Sequence, residues 1–137
     1  MKKILILCTG NSCRSQMVEA CLRSMIVDSE YTIFSAGLEA HGINPYMKKA
    51  MQKVGYSLEG HTSNLMEEYK DMMFDVVITV CDHANEHCPY FKNTHNRIHH
   101  SFEDPAESQG TDDEKMVVYE RVRDEIIDYC AKLALDL

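Results

Sequence analysis

The sequence predicts an α/β domain: one parallel sheet of about four strands, with helices on both faces. Two observations lead there. Short apolar runs of strand length alternate with segments of helical periodicity, the β-α-β-α order that gives parallel pairing and right-handed crossovers. Glycine or proline marks the joins, at Gly37, Gly42, Pro45, Gly55, Gly60, Pro89, Pro105 and Gly110. The 137 residues, 45% hydrophobic and 26% charged, suit a single domain spanning 1–137 with its own core.

Each element has its reason. Lys3–Leu7, almost all Ile and Leu, reads as a buried first strand. Ser15–Val27 spaces Met17, Cys21 and Met25 one helical turn apart, and Tyr31–Ser35 reads as the second strand. Pro45–Val54 is a helix that Asn44 caps, with proline in the first turn. Asn64–Met72 reads as a further helix, Val76–Val80 as the third strand and Arg97–Phe102 as a short fourth. Asp113–Leu135 closes the chain as a long helix striped by Val122, Ile126, Cys130 and Leu133. Cys21 and Cys130 lie on such stripes and read as small core residues.

Composition narrows the function. No run approaches the ~18 apolar residues of a membrane span. The opening apolar stretch Ile4–Leu7 is shorter than a signal-peptide core of roughly 7–15 residues, so the expectation is a cytoplasmic protein; a monomer is expected separately. A net charge of −8 argues against nucleic acid or anionic membrane as partner. Any anion site here has to act locally, against a repulsive global field. In that compartment six cysteines are not a disulfide framework.

The chemistry starts where the first strand ends, in Cys8-Thr-Gly-Asn-Ser-Cys-Arg-Ser15. A loop between strand tip and helix start gathers backbone N–H groups, and the helix dipole adds its positive end. Thr9, Gly10, Asn11, Ser12 and Cys13 would wrap a tetrahedral oxyanion there, and Arg14 would clamp two of its oxygens with a planar fork. The same field favours the Cys8 thiolate, a nucleophile, to which Ser15 can hydrogen-bond. Gly10 lets the backbone approach the ligand closely, and Asn11 tolerates the left-handed region.

Cys8, Cys81 and Asp104 each follow a predicted strand and therefore face one rim of the sheet. Cys81 and Cys88 stand seven residues apart in a polar segment. On a helix their thiols would share a face at roughly 10 Å, and a disulfide needs Cα atoms within about 7 Å. They read as a redox pair that bonds only after the segment unwinds, or as two unrelated surface cysteines. Cys81, His83, His87 and Cys88 are also four metal ligands in eight residues, though compressed for structural zinc. Asp104, set before Pro105, is either a general acid for a leaving oxygen or a turn opener. His41, His61, His95, His99 and His100 receive no role.

The segment Cys8–Gln16 resembles the phosphate loop shared by low-molecular-weight protein tyrosine phosphatases and thioredoxin-coupled arsenate reductases. Ser35-Ala-Gly37, His41-Gly-Ile-Asn-Pro45, His61-Thr-Ser63, Val80-Cys81, Cys88-Pro89, Asp104-Pro-Ala106 and Arg121-Val-Arg-Asp-Glu125 resemble the reductase branch. The phosphatases usually carry proline where Gln16 stands and tyrosine where Ala106 stands. The resemblance implies the low-molecular-weight phosphatase-like fold and reduction of arsenate to arsenite by a relay of Cys8, Cys81 and Cys88. It implies Asp104 as proton donor, thioredoxin as electron donor, phosphate and sulfate as competing oxyanions, and a weak phosphatase side activity. No tightly bound cofactor is expected. It also implies a potassium ion beside the loop, held by Asn11, Glu19, Ser35 and a fourth, acidic position at which this chain has Asn64. Cys13 has no part in the relay. A tyrosine phosphatase and a Cys/His metal-binding module are the alternatives.

Overall fold

The computed structural model describes residues 2–26, 31–88, 91, 94 and 96–137. Four strands, β1 (Lys2–Cys8), β2 (Tyr31–Gly37), β3 (Val76–Thr79) and β4 (Asn96–His99), pair in the order β2-β1-β3-β4, all parallel. Four helices, α1 (Arg14–Met25), α2 (Pro45–Gln52), α3 (Asp82–Glu86) and α4 (Asp112–Asp136), join and close them, with short 3-10 helices at Met66–Tyr69 and Pro105–Glu107. The predicted α/β architecture with its four parallel strands is the one observed.

Burial explains the strand assignments. Ile4, Leu5, Ile6 and Leu7 of β1 and Val77 and Ile78 of β3 have no exposed surface, as central parallel strands covered on both faces require. The crossover from β1 to β2 and that from β3 to β4 run opposite ways across the sheet. With one handedness they put α1 and α3 on opposite faces. α4 packs on α1 and α2, and the buried Cys21 and Cys130 thiols meet there, the core role expected of them. Asn44 caps α2 as read, its Oδ1 accepting from Tyr46 N and Met47 N at 2.9 and 3.1 Å; at α4 the structure adds a capping box of Thr111 with Glu114.

Three boundaries depart from expectation. The helix read over 64–72 is only the 3-10 helix Met66–Tyr69. Asn64 cannot start it, because its carbonyl accepts from Gly37 N and Leu65 forms a parallel bridge to Gly37. α2 ends at Gln52, before Val54, ahead of Gly55 at φ 89. The polar stretch after β3 begins as a helix, α3, which Cys81 caps. Val27, Pro89 and His95 lie outside the described residues.

Chain order then fixes the site. From β1 the sheet continues to β2 on one side and β3 on the other, so the C-terminal end of β1 opens into the crevice where ligands bind in such sheets. Cys8 ends β1, Cys81 follows β3, and Asp104 follows β4.

Candidate active site

Residues 9–13 make a loop whose carbonyls all point away from the crevice. Thr9, Gly10 and Ser12 carbonyls accept from the backbone N–H groups of Glu39, His41 and Asn44 at 2.8, 2.9 and 3.0 Å. The Asn11 carbonyl accepts from Gln16 Nε2 at 3.0 Å and the Cys13 carbonyl from Met17 N at 3.0 Å. With its carbonyls so committed, the loop has N–H groups to offer the crevice, the arrangement that suits an oxyanion. Asn11 takes the left-handed conformation, φ 45, as its residue type permits. Gly37 is the backing plate: a Cβ there would stand 2.6 Å from the Thr9 carbonyl and 2.7 Å from Asn11 N.

At the floor, Cys8 Sγ lies 2.9 Å from Ser15 Oγ, and Asn11 Nδ2 donates to that same hydroxyl at 2.7 Å. Ser15 thus spends a lone pair on Asn11 and sits within hydrogen-bond reach of the sulfur. At Cys13, burial pushes the thiol well up, and the neighbouring Asp104 and Cys8 add to this. Arg14 donates to the Phe102 carbonyl at 3.1 Å and lies 3.5 Å from Asp104 Oδ2. Asp104 also caps its own 3-10 helix, accepting from Ala106 N at 3.0 Å. A cavity of about 250 Å³ is walled by Cys8, Gly10, Arg14, His41, Asn44 and Asp104. A second, of about 470 Å³, shares Thr9, Arg14 and Asp104 with it and reaches Cys81.

Cys81 Sγ is 3.3 Å from Thr9 Oγ1, inside the loop's first residue, and accepts from Ala84 N at 3.4 Å. Cys88 stands apart: buried behind α3, its thiol contacts Met66 Sδ at 3.4 Å. None of the six cysteines is in a disulfide. Sequence-predicted Cys8, Ser15, Arg14, Cys81 and Asp104 therefore converge, and Cys88 does not join them here. The proposed metal quartet is not assembled either. His83 and His87 rings lie 4.5 Å apart, but Cys81 faces the loop and Cys88 faces Met66. Among the described residues no cluster of three His, Cys, Asp or Glu is arranged for a metal ion.

The four residues read as a potassium site do meet, yet they do not fit a cation. Glu19 Oε1 accepts from Ser35 Oγ at 2.5 Å and Oε2 from Arg23 Nε at 2.8 Å. Asn11 Oδ1 accepts from Asn64 N, Asn64 Oδ1 from Thr62 Oγ1, and the Ser35 carbonyl from Asn64 Nδ2. These five oxygens each accept from a protein donor, the Ser35 hydroxyl is turned to Glu19, and Arg23 brings the positive charge. Sequence reading missed two histidines. His41 lines the cavity, with Nε2 2.8 Å from Glu39. His61 Nδ1 lies 2.9 Å from Gln16 Oε1 and braces it beneath Asn11, and burial lowers its pKa. The His61–Gln16 contact joins segments far apart in sequence, and the cavity that His41 lines is assembled from several segments, so local spacing assigns neither histidine its role.

Such a phosphate loop at the first βα turn defines a class. The chain belongs to the low molecular weight phosphotyrosine protein phosphatase family, whose model matches residues 3–137. Within it, arsenate reductases are close in sequence. That of Halalkalibacterium halodurans is 46% identical over 91% of this chain and 89% of its own, and that of Bacillus subtilis 45% over the same shares. A solved arsenate reductase in a phosphate-binding state superposes with a TM-score of 0.83 at 28% identity, covering 99% of this chain and 98% of that one. No helix among the described residues is long and apolar enough to cross a membrane.

Proposed function

We propose that this chain reduces arsenate to arsenite through Cys8, Cys81 and Cys88, with thioredoxin returning the electrons. The Cys8 thiolate attacks arsenic held by the loop N–H groups and Arg14, and Asp104 protonates the oxygen that leaves as water. Cys81 then attacks Cys8 Sγ. The S–As bond breaks, its electron pair stays on arsenic, and arsenite departs as Cys8–Cys81 closes. Cys88 attacks Cys81, expels Cys8 as thiolate and leaves a Cys81–Cys88 disulfide for the thioredoxin dithiol to reduce. No step runs through potassium; Arg23 supplies the charge beside Glu19. The reading includes a thiol-reducing cytoplasm and a monomer.

One observation carries it: the 3.3 Å contact of Cys81 Sγ with Thr9, which sets a second buried thiol beside the nucleophile's own loop. A hydrolase leaves that approach to water. In an assay with arsenate, thioredoxin, thioredoxin reductase and NADPH, the protein should consume NADPH. Cys8→Ser, Cys81→Ser and Cys88→Ser should each stop turnover, while Cys13→Ser should not. Full turnover by the Cys88 variant overturns the relay. A phosphatase reading is favoured by Asp104 beside Arg14, the pair that ester hydrolysis needs; p-nitrophenyl phosphate cleavage should survive Cys81→Ser under either reading, whereas loss of arsenate turnover in that variant marks the reductase.

A further inference from the structure

α3 is five residues long, far below the roughly 12 residues at which a helix begins to hold itself. Its apolar anchorage is thin, since Ala84 is its buried residue. Its N-cap acceptor is Cys81 Sγ itself, so a bond formed at that sulfur takes the cap away. What else holds α3 is polar and comes from the sheet. Arg97 on β4 donates to the Asn85 carbonyl and Oδ1 at 3.1 and 3.2 Å. His99, two residues on and therefore on the same face of the strand, meets Asp82 Oδ1 through Nε2 at 2.8 Å. The Thr79 hydroxyl fixes that ring from behind, 2.7 Å from Nδ1. One end of α3 is thus tied by His99 and the other by Arg97.

We infer that Arg97 and His99 form a clasp on α3 that sets how readily the segment opens to bring Cys88 to Cys81. They are positioning residues: they touch neither the loop nor a reacting sulfur, and no electron passes through them. The inference rests on the relay proposed above. Because the clasp opposes opening, removing it accelerates a step that a merely damaged fold would slow.

The test uses the full reduced protein and Arg97→Ala and His99→Ala, with Arg97→Lys as a milder change should the first fold poorly. Hydrogen exchange over residues 82–88 should quicken about tenfold in the variants, the effect of losing one hydrogen bond to a charged group. After a single dose of arsenate, quenched and mapped by mass spectrometry, Cys81–Cys88 should close faster by a similar factor. Phosphate affinity, read by calorimetry, should stay at the wild-type value. Unchanged exchange in both variants overturns the clasp, as does closure at the wild-type rate or slower. Absence of the Cys81–Cys88 bond in wild type as well would count against the relay instead, and the exchange data would still decide the clasp.

Discussion

At the scale of single residues, two side chains not needed for any covalent step support the surroundings of the loop. His61 braces Gln16, which in turn holds the Asn11 carbonyl and the Thr62 carbonyl. Burial depresses the His61 pKa from its ordinary 6.5, with Glu19 opposing and Arg23 assisting. The unfolded chain therefore takes up this proton first, and the stability His61 contributes is present above about 6.5 and lost as pH falls below it. Urea midpoints measured between pH 7.5 and pH 5 should decline in wild type and decline less in His61→Gln. Arg23 is the second. It pairs with a nearly buried Glu19 carboxylate, whose side chain is 8% exposed. Wild-type melting should be the same in potassium chloride and choline chloride. In Arg23→Ala, where Glu19 loses its cation, potassium should raise the melting temperature by about 2–4 °C relative to choline. Equal melting of that variant in both salts would refute the assignment. The nucleophile, its arginine and its hydroxyl were legible because one short segment carries them all. Arg23 was not, since an arginine one turn after a glutamate reads as an ordinary exposed helix pair, and only the fold buries Glu19 and brings the Ile33 carbonyl to the guanidinium.

At the scale of elements, legibility followed the source of each element's stability. β1, α1, α2 and α4 are specified by local pattern and by caps, and the sequence reading found them within a few residues. The 64–72 region failed because its first residue is recruited by Gly37 and the loop instead of by a helix. α3 had no amphipathic signal to read; its support comes from β4. Asn44 shows how an element and the site share one residue. Its side chain caps α2, its Nδ2 donates to the Tyr119 hydroxyl at 2.9 Å, and its backbone N–H holds the Ser12 carbonyl. Asn44→Ala should cost about 1–2 kcal/mol of unfolding free energy by urea titration. The backbone contact to Ser12 survives, so phosphate affinity should change less than threefold, roughly what half a hydrogen bond is worth.

At the scale of the whole molecule, the net charge of −8 repels the dianion that the loop is built to hold. Loop N–H groups and Arg14 act at hydrogen-bond range, where salt screens little, whereas the diffuse field is screened over a Debye length of about 10 Å at 0.1 M. Choline chloride should therefore raise kcat/KM for arsenate by roughly twofold between about 10 and 100 mM. A fall over that range would mean that the local cations, and not the global field, govern encounter. The outward stitching of the five loop carbonyls has a wider consequence. Their donors sit on the segment after β2 and on α1, so the receptor for the oxyanion is finished by folding itself and has no frayed state of its own. Heating should therefore abolish phosphate binding at the temperature where the core melts, and at no lower one.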